Sequence, residues 1–443
     1  MVVLVFVGLI LLAHYYLWHR MVRSTTGPGR PRKALTWGMV GLFVLVVGTF
    51  VGTRMELAEL GHWLAWPGYV WLALLFYLVL FFLVLEVPRA VAGVFLRLAE
   101  RKRAAAPVLA PERKRSPEPE LKPEPVAVLA STAAPVVEET APVETVPSAE
   151  GAAPVEQVAE KVAPPAPLSR RLFLGRATAA VAGLGALSTV GYGITSALGD
   201  PVIERVKVTL PKLDPRLGGL KFAVVSDIHL GPLTGKAHTE RIVRMINGLE
   251  ADVVAIVGDL VDGSVAELGA LARPLKNLES RYGAYFVTGN HEYFSPGGFA
   301  EWIEELGQLG VRPLRNERVE ITHQGAVLDL AGVNDLNGTS QGDGPDFDKA
   351  LGNRDTSRST VLLAHQPVQV GEAARHGVDL QLSGHTHGGQ MAPFSLVVGL
   401  QQPVVSGLAT VDGVQVYVTR GAGFWGPPVR VGAPPEVTML ELA

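Results

Sequence analysis

The chain has 443 residues, enough for two or three domains, and a formal net charge of only −3 with 18% charged residues. It contains no cysteine, which excludes disulfides and thiolate metal sites. No large basic surface speaks for nucleic acid, and the charge that exists is unevenly placed, with roughly the first hundred residues apolar and flanked by basic groups.

Residues 1–18, 35–52 and 63–87 are apolar runs of the length that crosses a bilayer core. Trp18, Trp37, Trp63, Trp66 and Trp71 lie at or near the ends of these runs, where interfacial aromatics sit. The first run lacks a basic start and is followed by two more, so it is expected to be a retained helix rather than a cleaved signal. Arg20, Arg23, Arg30, Arg32 and Lys33 occupy the first connection, and Arg89, Arg97, Arg101, Lys102 and Arg103 follow the third run. The second connection sets Arg54 against Glu56 and Glu59. The positive-inside rule then places the N-terminus outside and the segment after the third run in the cytoplasm.

Residues 104–168, rich in Pro, Ala, Val and Glu, are expected to form a disordered or extended cytoplasmic linker. SRRLFL at 169–174 precedes a fourth apolar run at 177–198. Paired Arg170 and Arg171, with Phe173 and Leu174, resemble an internal twin-arginine export signal, which would make the twin-arginine export machinery a partner. The plain alternative is a basic flank that stays inside. Both readings carry the rest of the chain outward. The expected organisation is a membrane region at 1–103 with three spans, the linker at 104–168, the flank and fourth span at 169–199, and a folded domain at 200–443.

Within that domain, residues 221–226, 252–257, 284–288, 361–364 and 378–382 are short, apolar, β-branched runs that read as buried strands. Residues 239–249 and 299–309 carry apolar side chains in helical phase, and the alternation predicts an α/β sheet with its ligands beyond the strand ends. A polar segment stands just past the carboxyl end of each strand. These are SDIH with Asp227 and His229, GDLVD with Asp259 and Asp262, GNHE with Asn290, His291 and Glu292, AHQP with His365, and GHTHGGQ with His385 and His387. Singly each is an ordinary turn. Together they supply hard oxygens, imidazoles and a carboxylate able to bridge, the donor set of two divalent ions held about 3.5–4 Å apart. Mn, Fe, Zn and Mg all remain open as their identity.

These five segments resemble the calcineurin-like metallophosphoesterase superfamily, most closely its membrane-associated bacterial branch with GHTHGGQ, over about residues 220–442. VTRGAG at 418–423 and PEV at 435–437 belong to the same likeness. The resemblance implies an α/β (α+β) fold, a four-layer αββα sandwich of two mixed sheets covered by helices, here preceded by an α-helical transmembrane region. It implies one ion held by Asp227, His229, Asp259 and His387 and a second held by Asp259, Asn290, His365 and His385, with Asp259 bridging. His291 is similar to the family histidine that acts on phosphate without ligating metal, and Asp262 to the aspartate that orients it. His291 is thereby implied as general acid for the leaving oxygen, or as transition-state stabiliser, with hydroxide activated between the two ions as nucleophile. Glu292 is expected to accept from a ligating imidazole.

Two departures matter. Asp262 stands where purple acid phosphatases carry a tyrosine, which disfavours a tyrosinate-ligated ferric site. Gly263 follows where phosphoprotein phosphatases carry an arginine, which removes a phosphate clamp for which Arg420 and Arg430 are candidate replacements. The other histidines, His14, His19, His62, His238, His323 and His376, are expected to be solvated.

The expected function is that of a membrane-anchored, metal-dependent phosphohydrolase, multi-pass in the cytoplasmic or inner membrane, acting outside the cytoplasm. Its phosphorylated substrate would be a phosphoester or pyrophosphate, lipid-linked or otherwise extracytoplasmic. One alternative is a lipid-sugar nucleotide pyrophosphohydrolase working at the cytoplasmic face. The other is a non-catalytic membrane scaffold with a vestigial metal site, whose sign would be a missing ligand, and none is missing.

Overall fold

A computed structural model of the chain describes residues 2–54, 58–104, 170–295 and 297–443. Residues 1–89 and 170–443 form one compact unit. The expected linker lies outside the described residues except for Ala104, as do the side chains of Arg54, Glu56, Glu59, His62 and Arg171.

Two six-stranded mixed sheets make the α/β body. Strands β1 (Val202–Val208), β2 (Lys221–Val225), β3 (Val253–Val257), β4 (Ala284–Val287), β5 (Val311–Pro313) and β12 (Glu436–Leu442) form the first, in the order β1-β12-β2-β3-β4-β5. The second contains β6 (Glu317–His323), β7 (Ala326–Gly332), β8 (Thr360–Leu363), β9 (Leu380–Ser383), β10 (Gly407–Val411) and β11 (Val414–Val418), in the order β10-β11-β9-β8-β7-β6. Strands β2 to β5 run parallel, as do β7, β8, β9 and β11, while β12 is antiparallel to β2.

The period-two pattern explains the layering. Phe222 and Val224 of β2, Leu328 and Leu330 of β7, and Val361 and Leu363 of β8 point into one core between the sheets. Their neighbours Ala223 and Val225 turn outward against Ile242 and Ile246 of one helix and Trp302 and Leu306 of another. Leu362 and Ala364 turn outward on the other side, against Phe347 and Val370. Burial on both faces is why the central strands read as continuous apolar runs. Fully burying a leucine or phenylalanine contributes about 1.5–3 kcal/mol.

Among the described residues, four apolar helices precede the body. They are α1 (Val2–Leu17), continued by a π-helical turn at Trp18–Arg23, α2 (Arg30–Arg54), α3 (Ala58–Ala104) and α4 (Arg170–Leu198). Each contains a stretch long and apolar enough to cross a membrane. At one end of the group Phe6 of α1, Phe50 of α2 and Tyr69 of α3 pack edge to face, with ring centroids 4.6 and 5.9 Å apart in succession. That end adjoins the body. Tyr77 Oη donates to Ala392 O (3.0 Å), and Arg430 N donates to Gly193 O of α4 (2.9 Å). Further along α1 and α3, Glu86 accepts from Tyr16 Oη (3.0 Å) and pairs with Arg20 and Arg89.

His14 departs from the expectation of a solvated ring: it is buried among the helices, receives Trp71 Nε1 on its Nε2 (3.0 Å), and donates from Nδ1 to Ile10 O (2.8 Å). His238 and His323 are buried as well. Burial, followed by the Arg241 charge, lowers His238 to about 4, while His323 closes β6 against Tyr282 Oη (2.9 Å).

Candidate metal centre

Every candidate ligand sits on a loop leaving the carboxyl end of a parallel strand, where the backbone turns sharply. Asp227, His229, Asp259, His385 and His387 have φ between 49° and 71°, the left-handed region that L-residues adopt at a cost. Such strain persists where the surroundings over-determine it, and here they do. Asp227 accepts the amide of His385 on both oxygens (3.0 and 3.1 Å), and His291 N donates to Asp259 Oδ1 (2.8 Å). A Cβ on Gly384 would stand 2.1 Å from Ser226 Oγ and 2.4 Å from Asp227 Oδ2, so only glycine lets these two loops meet.

The side chains fall into two adjoining groups. In the first, Asp227, His229 and His387 bring donor atoms within 4.8 Å of one another. His229 Nε2 lies 3.0 Å from His387 Nε2, which is 3.3 Å from Asp227 Oδ1. In the second, Asp259, His365 and His385 converge equally closely, and His385 Nδ1 lies 2.9 Å from Asn290 Oδ1. Asp259 stands between the groups, its Oδ2 being 3.2 Å from His365 Nε2 and 3.9 Å from His229 Nε2. The seven candidate ligands are thus brought together, although His229, Asp259 and His291 also form a close trio.

His365 supplies the clearest chemical test of fit. Its Nδ1 lies 2.8 Å from Val257 O, a group that can only accept, so Nδ1 carries the proton. The buried Nε2 has no hydrogen-bond partner and stands 3.2 Å from Asp259 Oδ2; burial acts against charge on this ring, but the Asp259 carboxylate outweighs it and raises the imidazole well above its ordinary value. The ring and the carboxylate thus call for positive charge between them, and a bound cation would supply it in place of a second ring proton. The donor set therefore fits divalent metal, and it contains no soft ligand.

Asp262 does more than orient one ring. Its Oδ1 accepts from His229 Nδ1 (2.8 Å) and from His291 Nδ1 (2.6 Å), tying a candidate ligand to the candidate acid. Burial pushes the Asp262 carboxyl up, but the two imidazoles overcome that and hold it well below the usual carboxylate range. For His291, burial acts downward and the Asp259 and Asp262 carboxylates outweigh it, raising the ring to about 9.

Glu292 corrects the expectation of an imidazole partner. Its carboxylate accepts the backbone amides of Asp259 (3.1 Å), Leu260 (2.8 Å) and Gly289 (2.6 Å), stapling two ligand loops together. Arg420 and Arg430 are corrected too, since neither guanidinium is left for a phosphate. Arg420 pairs with Glu204 (2.6 Å) and Glu436 (2.7 Å). Arg430 is wholly buried and donates to the carbonyls of His387 (2.8 Å), Arg420 (2.8 Å) and Gly423, and its Nη2 lies 3.1 Å from His387 Nδ1. Each buried carbonyl left without a donor costs about 1–3 kcal/mol. Arg430→Met, similar in reach but without donors, should destabilise the full chain by on the order of 3 kcal/mol. An unchanged melting temperature would show that these bonds contribute nothing.

Sequence reasoning passed over Asp335, a fully buried carboxylate past β7 whose oxygens both lie 2.9–3.0 Å from Gln366 Nε2, beside His365. The signal was present, since VND follows an apolar strand as the other polar segments do.

A family model for the calcineurin-like phosphoesterase matches residues 220–389. An uncharacterized metallophosphoesterase of Helicobacter pylori is 42% identical, over 58% of this chain and 68% of its own length. The chain belongs to the calcineurin-like metallophosphoesterase family. An Aquifex aeolicus member, also named an uncharacterized metallophosphoesterase, is 33% identical over 54% of this chain and 91% of its own. A Bos taurus protein named "Transmembrane protein with metallophosphoesterase domain" is 41% identical over 56% of this chain. The match spans 59% of that Bos taurus relative's length.

Proposed function

We propose that this metallophosphoesterase is a membrane-anchored phosphohydrolase, in which Asp227, His229, Asp259 and His387 hold one divalent ion and Asp259, Asn290, His365 and His385 a second. The carrying observation is the convergence of these seven side chains from five loops, with Asp259 between the groups and the unpartnered His365 Nε2 standing 3.2 Å from it. Bound there, two divalent ions supply Lewis acidity and lower the pKa of water to near neutrality. The chain's own residues do the rest. As the bond from water oxygen to phosphorus forms and the bond to the leaving oxygen breaks, that oxygen needs a proton. His291 is the group to give it. Asp262 fixes its Nδ1, which leaves Nε2 for the substrate. Glu292 and Arg430 hold the loops so that the ligands do not have to reorganise.

The protein in lipid nanodiscs should carry two ions per chain and hydrolyse bis(p-nitrophenyl) phosphate. Chelation should remove both ions and activity, with Mn, Fe, Zn or Mg added in turn restoring them. Hydrolysis that survives complete metal removal would end this reading.

The proposed site faces outside the cytoplasm, and lipid-linked phosphodiesters or pyrophosphates are the favoured substrates. Two features support this orientation. Arg20, Arg23, Arg30, Arg32 and Lys33 lie at the ends of α1 and α2 remote from the body, and the ends nearest the body are the beginnings of α1 and α3 and the ends of α2 and α4, an alternation that four spans produce. Reporters fused at Pro125 and after Ala443 should read cytoplasmic and external respectively. Changing both Arg170 and Arg171 to lysine should block export only if the twin-arginine machinery is the route, since the flank's charge is kept. A cytoplasmic reading after Ala443 would instead favour lipid-sugar nucleotide hydrolysis at the inner face.

A further inference from the structure

The cavity at the candidate centre extends beyond the α/β body. It measures about 590 Å³, and its wall runs from His229, Asp262 and His291 at one end to Phe6, Phe50 and Leu72 of α1, α2 and α3 at the other. That volume is in the range of sites that enclose one small ligand. Between the two ends lie Phe294 and Trp425, whose rings stand 5.6 and 6.0 Å from that of His291. Gly426 completes the join, since a Cβ there would be 3.6 Å from the Tyr69 ring. A phosphate held at His291 is therefore in the same enclosure as side chains from three membrane-length helices.

The chemistry of the far end selects the ligand. A sugar or a nucleobase carries donors and acceptors that must be matched once buried. Among the described residues, the wall contributed by α1 to α3 offers aromatic and aliphatic carbon, and the hydroxyls of Thr53 and Tyr69 lie 3.4 Å apart and face one another. A hydrocarbon chain asks for nothing more. We infer that the substrate is an amphiphilic phosphoester whose hydrocarbon chain lies between α1, α2 and α3 and the loop at 424–427, reaching the centre from the bilayer rather than from water. This rests on the hydrolase reading above and adds to it the subsite and the part of the substrate that fills it.

The test uses the full chain in nanodiscs and a series of p-nitrophenyl alkyl phosphodiesters, from methyl to octyl, kept below aggregation. Each methylene buried from water should raise kcat/KM by up to about fourfold. Leu72→Trp, which fills the cavity, should flatten the series. Val84→Trp, on a part of α3 that is 63% exposed, should keep the slope and so controls for partitioning into the lipid. A flat series in the unmodified protein, or an equal slope in Leu72→Trp, would overturn the inference. If no ester is cleaved, methyl included, the hydrolase reading is what fails, and a second arm decides the subsite without catalysis. A dodecyl phosphonate bearing a diazirine on its chain should label Phe50 and Leu72 and be displaced by octyl phosphonate. Labelling confined to the outward-facing Leu83, Val84 and Val181 would exclude the subsite.

Discussion

Asp259→Asn should remove most bound metal and reduce hydrolysis by about 10²-fold or more while the protein stays folded. Changing a group that only hydrogen-bonds a metal ligand already costs about 10–100-fold, and a ligand shared by both ions should cost no less. Folding is expected to survive for two local reasons. Asparagine tolerates the left-handed backbone that Asp259 adopts, with φ of 52°. The amide oxygen can also keep the bond that Oδ1 accepts from His291 N (2.8 Å). What changes is Oδ2, which becomes a donor facing His365 Nε2 and carries no charge for either ion. His376→Gln is the matched control. Its ring lies on the far rim beside Asp348, away from every ligand loop, and its metal content and rate should equal those of the unmodified chain. Two bound ions and full activity in Asp259→Asn would remove the bridging role. His323, which looks like a neutral control in the sequence, would serve poorly because it is buried against Tyr282.

That misreading shows where sequence is legible. The strands β2, β3, β4 and β8 announce themselves because both faces are covered, so their apolar runs are unbroken and the polar residues that follow must lie at the strand ends. β6 and β7 do not. Glu317–His323 alternates between exposed and buried positions, so its polar half resembles loop, and only Gln324 and Gly325, with φ of 52° and 78°, betray a two-residue hairpin turn. His14 sits in an apolar helix whose inner face no single-helix pattern reveals. Arg430 was harder still. The carbonyls it serves come from residues 387, 420 and 423, and nothing local says that a near-terminal arginine will be enclosed by them. The wall that α1, α2 and α3 lend to the cavity is of the same kind, a juxtaposition of residues as far apart in sequence as Leu72 and His229.

His291→Ala separates the proton donor from the ligands. The variant should keep both ions, because neither donor group needs His291: Asp227, His229 and His387 converge without it, as do Asp259, His365 and His385. Catalysis should fall by about 10²–10⁴-fold, the range for one positioned acid or base. Asp262 loses one of its two imidazole partners but keeps His229 Nδ1 at 2.8 Å, which holds the loop that carries it. The informative measurement is the dependence on leaving group. An aryl oxide leaves readily without a proton, whereas an alkoxide does not, so the loss should be small for p-nitrophenyl esters and large for alkyl esters. The trio of His229, Asp259 and His291 gives the competing outcome a concrete form. If His291 were instead a ligand, the variant would lose metal, and the deficit would be equal for every leaving group. If it stabilised charge on the phosphoryl oxygens without donating a proton, metal would be kept but the loss would again be uniform. Metal content and leaving-group slope, measured together, therefore assign one of three roles to this imidazole.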